Sequence, residues 1–141
     1  MKSIKTTLAA LLFTAAILPW ISCKKGEPAI DSRSILEKIS GKWKLQSSVF
    51  NDFYSGTSHI TTYTGTAADY VDFRNDYKVY SFVNNNYDTS AFNFISPTKM
   101  YIDSLSNAYD IQTLTETNLK LYRKEIFTAG DYSESTVNLI R

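Results

Sequence analysis

The sequence predicts an all-β, antiparallel meander of eight or nine short strands preceded by one short helix. Three observations carry that expectation. From Trp43 onward, apolar and polar residues alternate with period two in a stretch rich in β-branched and aromatic side chains. Turn-forming clusters such as Arg74-Asn75-Asp76 and Asn84-Asn85-Asn86 punctuate that stretch at close intervals. The chain has 141 residues, 43% of them apolar, which suffices for one packed core and is short for two. A meander of this kind closes either into a barrel or into a sandwich, and the residues alone leave both open.

Taken in order, residues 1–22 read as an export signal. Lys2 and Lys5 form a positive n-region with no acid beside them, and Leu8 to Leu18 form an apolar run. That run is shorter than the roughly 20 residues needed to cross a bilayer and suits a secretory signal. Pro19 breaks its helix before the expected cleavage region. Removing the segment takes away two lysines and no acid, shifting the formal charge from +1 to slightly negative.

The only cysteine, Cys23, follows Trp20-Ile21-Ser22. This segment resembles a bacterial lipoprotein signal ending in its lipobox; Ile21 and Ser22 fit the pattern, whereas Trp20 departs from it. The resemblance implies a thioether-linked diacylglycerol on Cys23, cleavage before it and an acyl chain on the new amino group. An unmodified lone thiol in an exported protein would otherwise invite oxidation. Two or three acyl chains hold a protein firmly to a bilayer, at about 0.8 kcal/mol per buried methylene. Lys24 and Lys25 would then sit among anionic headgroups. Lys24 also lacks the acidic inner-membrane retention signal of some bacterial lipoproteins, which favours the outer membrane and a periplasm-facing domain.

Residues 23–33 read as the lipidated cysteine and a tether, and residues 34–141 as the folded domain. Asp31 or Ser32 can cap a helix through Ser34–Ile39, with Ile35, Leu36 and Ile39 forming one apolar stripe and Gly41 ending it. Strands are expected near 42–50, 57–64, 68–74, 77–83, 87–95, 98–103, 107–113, 118–127 and 134–140. Asn51-Asp52, Ser96-Pro97-Thr98, Ser104-Leu105-Ser106, Thr115 to Asn118 and Gly130-Asp131 supply the remaining turns.

Gly41-Lys42-Trp43, placed after a short helix and opening the first strand, resembles the Gly-x-Trp motif of lipocalins. The later segments Tyr109-Asp110-Ile111, Leu114-Thr115, Asn118 to Leu121 and Thr136 to Arg141 resemble the small lipocalin-like lipoproteins of Bacteroidetes. The similarity spans residues 36–141. It implies an antiparallel up-and-down lipocalin-like β-barrel of about eight strands. By the same resemblance Gly41 and Trp43 close one end, and a late arginine, Arg141 in preference to Arg123, packs across the indole. It also implies a carrier of a small hydrophobic or amphipathic ligand, although this chain is shorter than a typical lipocalin.

Alternation divides the strands into faces without saying which points inward. Tyr80 and Phe82 share one face of 77–83, and Phe92 and Phe94 share a face with Asp88 and Ser90. These four aromatic residues are the expected lining of a ligand cup, because a tyrosine or phenylalanine lining suits a flat or amphipathic molecule. The competing account makes the same side chains a solid core, leaving the barrel to dock an envelope protein through its outer face.

Catalysis and metal binding find little support. His59 is the only histidine, with no nucleophile motif beside it, and reads as a surface strand position. Asp69, Asp72 and Asp76 lack the spacing of a calcium loop and read as solvated turn and edge carboxylates. The balance of 15 Lys+Arg against 14 Asp+Glu argues against a nucleic-acid partner. The expectation is a non-enzyme with no catalytic residues, no metal and no cofactor beyond the covalent diacylglycerol and N-acyl chain on Cys23.

Overall fold

A computed structural model describes residues 32–128 and 130–141. Cys23, the signal segment and the Asp31 cap all lie outside the described residues. Helix α1 spans Ser32–Ile39. Nine strands follow: β1 Gly41–Tyr54, β2 Thr57–Thr64, β3 Tyr70–Phe73, β4 Lys78–Val83, β5 Asn86–Ser96, β6 Lys99–Ile102, β7 Ala108–Leu114, β8 Asn118–Thr128 and β9 Asp131–Ile140. Each pairs antiparallel with its neighbours, and a β1–β9 pairing closes the sheet. The result is an eight-stranded up-and-down barrel with one extra strand, as the lipocalin resemblance implies.

The extra strand arises from how β1 divides one edge between two partners. Gly41–Lys44 pair with β3, and Ser47–Tyr54 pair with β2, while the opposite edge runs along β9. β2 and β3 therefore form one long strand interrupted by residues 65–69. At the same level β1 carries a bulge opposite β9 between Leu45 and Ser47. A bulge adds one residue and reverses the inward parity. Below it the odd residues Trp43 and Leu45 are buried; above it the even residue Ser48 is buried.

One turn differs from the sequence-based expectation. Asn51-Asp52 lies within β1, and the hairpin turn is Ser55-Gly56, with φ of 50° and 79°. Both values are left-handed, as a two-residue turn matching the strand twist demands. Asn51 and Asp52 are instead satisfied across the sheet: Asn51 Nδ2 donates to Glu134 Oε1 at 3.0 Å, and Ser133 Oγ donates to Asp52 Oδ1 at 2.6 Å. Pairing with the longer β1 and with β8 extends β9 back to Asp131.

The core fills the end of the barrel under α1. Ile39, Trp43, Phe73, Phe92, Met100, Leu119 and Leu139 are essentially inaccessible to solvent. Phe73 and Phe92 meet edge-on with ring centroids 5.2 Å apart, a favoured aromatic geometry. At the opposite end β3, β4 and β6 stop early, whereas the upper halves of β1, β2, β8 and β9 continue as a four-stranded flap.

Candidate functional site

Register fixes what the inside of the barrel presents at each depth. Leu119, Leu139 and Leu45 stand side by side across three strands. One step toward the flap come Leu121, Val137, Ser48 and Tyr63; the next row is Arg123, Ser135, Phe50 and Thr61. Glu125, Ser133, Asp52 and His59 form the outermost row. Chemistry thus grades from aliphatic at the base, through hydroxyls, to charge at the rim.

Within this gradient lies a cavity of about 510 Å³. Leu45, Phe73 and Leu139 bound it toward the closed end, and Phe50, Asn84 and Asp88 toward the flap. Small hydroxyl residues, Ser48, Ser81 and Ser90, leave the room that larger side chains would fill. Volume and mixed lining fall in the range of small-molecule sites, which run from about 300 to 1,000 Å³. Asp88 is the one charged residue of the lining. Its Oδ1 accepts the Thr89 N–H at 2.8 Å, and among the described residues no lysine or arginine pairs with it.

The four aromatic residues expected to form a ligand cup lie elsewhere. The inner face of β4 is Val79, Ser81 and Val83, which places Tyr80 and Phe82 outside. Arg74 covers the Tyr80 ring at 4.0 Å, and Phe82 packs between Tyr70 and Tyr87, with ring centroids 6.1 and 4.5 Å away. Phe92 and Phe94 do share the inward face of β5, but at the packed base: Phe92 is buried, and its ring lies 5.9 Å from Phe94 in a T-shaped pair. Aromatic side chains attract attention in a sequence, yet a barrel uses its bulky inward residues to fill volume. The cavity is marked instead by serines alternating with valines, a signal visible in Val79-Tyr80-Ser81-Phe82-Val83.

At the closed end, Trp43 donates its indole N–H to the Ile39 carbonyl at 2.7 Å. The Arg141 guanidinium lies 3.8 Å over the Trp43 ring and donates to the Ile39 and Ser40 carbonyls. Gly41 has φ of +110°, and a Cβ there would stand 3.4 Å from the Arg141 guanidinium. Arg123, the other arginine considered for this place, points inward above Leu121 and pairs with Glu125.

Asp69 is not a solvated carboxylate. It is 2% exposed and accepts the Thr66 N–H at 2.6 Å, the Tyr63 hydroxyl at 2.7 Å and the Asn84 N–H at 2.9 Å. One side chain thus fastens β2, the 65–69 loop and the β4–β5 turn at the rim of the cavity. These donors, led by Thr66 N–H, hold the carboxyl at a pKa of about 2, and the carboxylate in turn raises that of the Tyr63 hydroxyl. Asp72 pairs with Arg74 at 3.1 Å, and Asp76 accepts the Lys78 N–H in a turn. His59 is exposed on β2. Among the described residues no three His, Cys, Asp or Glu side chains converge as a metal site, and no helix is long and apolar enough to cross a membrane.

Set beside known protein families, curated proteins and solved structures, the chain matches none of them.

Proposed function

We propose that this chain is a lipid-anchored binding module that holds a small hydrophobic or amphipathic molecule in the barrel. The cavity carries the proposal: about 510 Å³ with an apolar base and serine hydroxyls in its wall. Such a gradient accepts an apolar body and leaves its polar end near water. The hydroxyls in the lining have no histidine beside them there, so the reading is of retention without chemistry. The resemblance to lipocalin-like lipoproteins and the lipobox before Cys23 support a carrier or sequestering role at the periplasmic face of the outer membrane.

The direct test is titration of a chain beginning at Lys24 with the neutral fluorophore N-phenyl-1-naphthylamine. Saturable enhancement is expected, and Ser81→Phe, which fills the cavity from β4, should weaken it at least several-fold without loss of cooperative unfolding. Equal binding by the filled variant would show that the probe sits elsewhere and would remove the basis of the reading. For the anchor, Cys23→Ser should abolish incorporation of labelled palmitate in the native host.

A second reading rests on a separate feature. Tyr70, Phe82 and Tyr87 form a continuous aromatic stripe on the outside of β3, β4 and β5, and Tyr87 is 78% exposed. That stripe favours docking of an envelope protein. Crosslinking from position 87 in the host would capture such a partner whether or not the cavity is filled.

A further inference from the structure

We infer that the ligand of this cavity carries a cationic head group, an amine or quaternary ammonium on an apolar body. The inference rests on the binding reading above and specifies the charge that the site selects. The apolar part of the cavity is closed at its base, so only the rim can meet a polar head. Three carboxylates stand on the inward surface near that rim. Asp88 lines the cavity itself. Asp52 and Glu125 occupy the outermost row of the flap, in register through Ser133.

Cationic groups are few on the same surface. Arg123 is the only lysine or arginine on the inward faces of β1 to β9, and it is engaged by Glu125. His59 shares the Asp52 row and is exposed. Lysines of the neighbouring elements face elsewhere: Lys124 lies 3.6 Å over the outer Tyr132 ring, and Lys42 lies 3.5 Å over the outer Tyr70 ring. Lys44 and Arg141 flank an outer groove at the closed end. On the inward surface near the mouth the carboxylates Asp88, Asp52 and Glu125 thus outnumber the one cation, Arg123, which Glu125 already holds. A fatty-acid carboxylate entering head-outward would meet Asp88 without a free cation, whereas an ammonium group would meet an unpaired carboxylate.

Asp88 lies in an exposed position, so its attraction is screened by water and salt. A preference of about three- to tenfold is the expected size. The test uses the chain from Lys24 with bound N-phenyl-1-naphthylamine, displaced by dodecyltrimethylammonium or by dodecanoate below their micelle concentrations at pH 7.5. The cation should displace the probe at about three- to tenfold lower concentration than the anion. Asp88→Asn should erase most of that ratio, since the amide oxygen still accepts the Thr89 N–H while the charge is gone. Equal displacement, preference for dodecanoate, or a ratio unaffected by Asp88→Asn would overturn the cationic assignment with the cavity reading intact. Probe binding that Ser81→Phe leaves untouched would instead overturn the cavity reading itself.

Discussion

Arg141 lies with its guanidinium 3.8 Å over the ring of Trp43, the third residue of β1. The contact joins the two ends of the barrel circuit and also supplies donors to the Ile39 and Ser40 carbonyls, which a helix leaves unsatisfied at its C-terminus. The Arg141 N–H donates to the Thr117 carbonyl at 3.1 Å, so backbone and side chain fix the residue together. Arg141→Ala should lower stability by about 1–2 kcal/mol, from a partly exposed cation–π contact and the carbonyl bonds. Trp43→Ala should cost about 3–5 kcal/mol, as a large buried ring is lost. Urea denaturation of both variants checks the order; an Arg141→Ala midpoint equal to wild type would remove the terminal arginine from the closure.

Asp69 makes stability depend on acid. Its carboxyl is held at about 2, below the ordinary value of 3.8, by the Thr66 and Asn84 N–H groups and the Tyr63 hydroxyl. A depressed folded-state pKa contributes stability that is fully present above the unfolded value and is lost as pH falls from 3.8 toward 2. Glu134 is shifted the same way by Asn51 and Tyr122 and adds to the loss. Melting temperatures between pH 5 and pH 2 should therefore fall, and Asp69→Asn should fall less steeply from a lower starting point. Parallel slopes for the two proteins would show that Asp69 does not govern the acid limb.

The Tyr63 hydroxyl reports the same junction separately. Tyr63→Phe keeps the ring on the cavity wall and removes one donor to the buried carboxylate. A loss of about 1.5–3 kcal/mol is expected, the range for a hydrogen bond to a charged group. It should disappear in an Asp69→Ala background, where the acceptor is gone, a coupling that a double-mutant cycle reads directly.

Much of the architecture can be read from alternation, because along β4 and the first half of β8 inward residues alternate with outward ones. β2 runs Thr57–Thr64, the span that alternation and turns predict. What alternation cannot carry is the change of parity at Gln46, where a bulge turns even residues inward, and the outer edge of β2, which has no strand partner among the described residues. The turn at Asn51-Asp52 misleads for a related reason: their side chains are satisfied by Glu134 and Ser133, more than eighty positions away, and no local signal discloses such partners. Asp69 is obscure in the same manner, since its burial depends on donors from Tyr63, Thr66 and Asn84. The cavity is hardest of all to read, because room is left by small residues such as Ser81 while prominent aromatic residues such as Phe92 do the filling.

Gly65 tests the bulge. A Cβ at this position would fall 1.9 Å from the Leu45 carbonyl oxygen and 2.7 Å from its carbon, both backbone atoms. The Gly65 N–H also donates to the Gln46 carbonyl at 3.0 Å, so the loop cannot move away without losing that bond. Gly65→Ala should destabilise the fold by about 2–4 kcal/mol, toward the upper range for single substitutions. A near-neutral effect in urea denaturation would mean that the 65–69 loop does not seat against β1 in solution.

The flap should open before the barrel does. β2 pairs only along β1, leaving its other edge without a strand partner among the described residues, and seven of its eight residues are exposed. The carboxy-terminal half of β8 likewise pairs with β9 alone, since β7 meets β8 no further than Tyr122. Exposed edges with few buried apolar contacts open at low free energy, whereas strands paired on both sides exchange only on global unfolding. Native-state hydrogen exchange should therefore show fast amides across Thr57–Thr64 and residues 123–128, and slow ones at Trp43, Leu119 and Leu139. Saturation of the cavity with N-phenyl-1-naphthylamine should slow β2 in particular, because Tyr63 contributes to the cavity wall from that strand. Uniform protection across β1 and β2 in the free protein would show that the open edge is covered, and would shift attention from the cavity to whatever pairs with that strand.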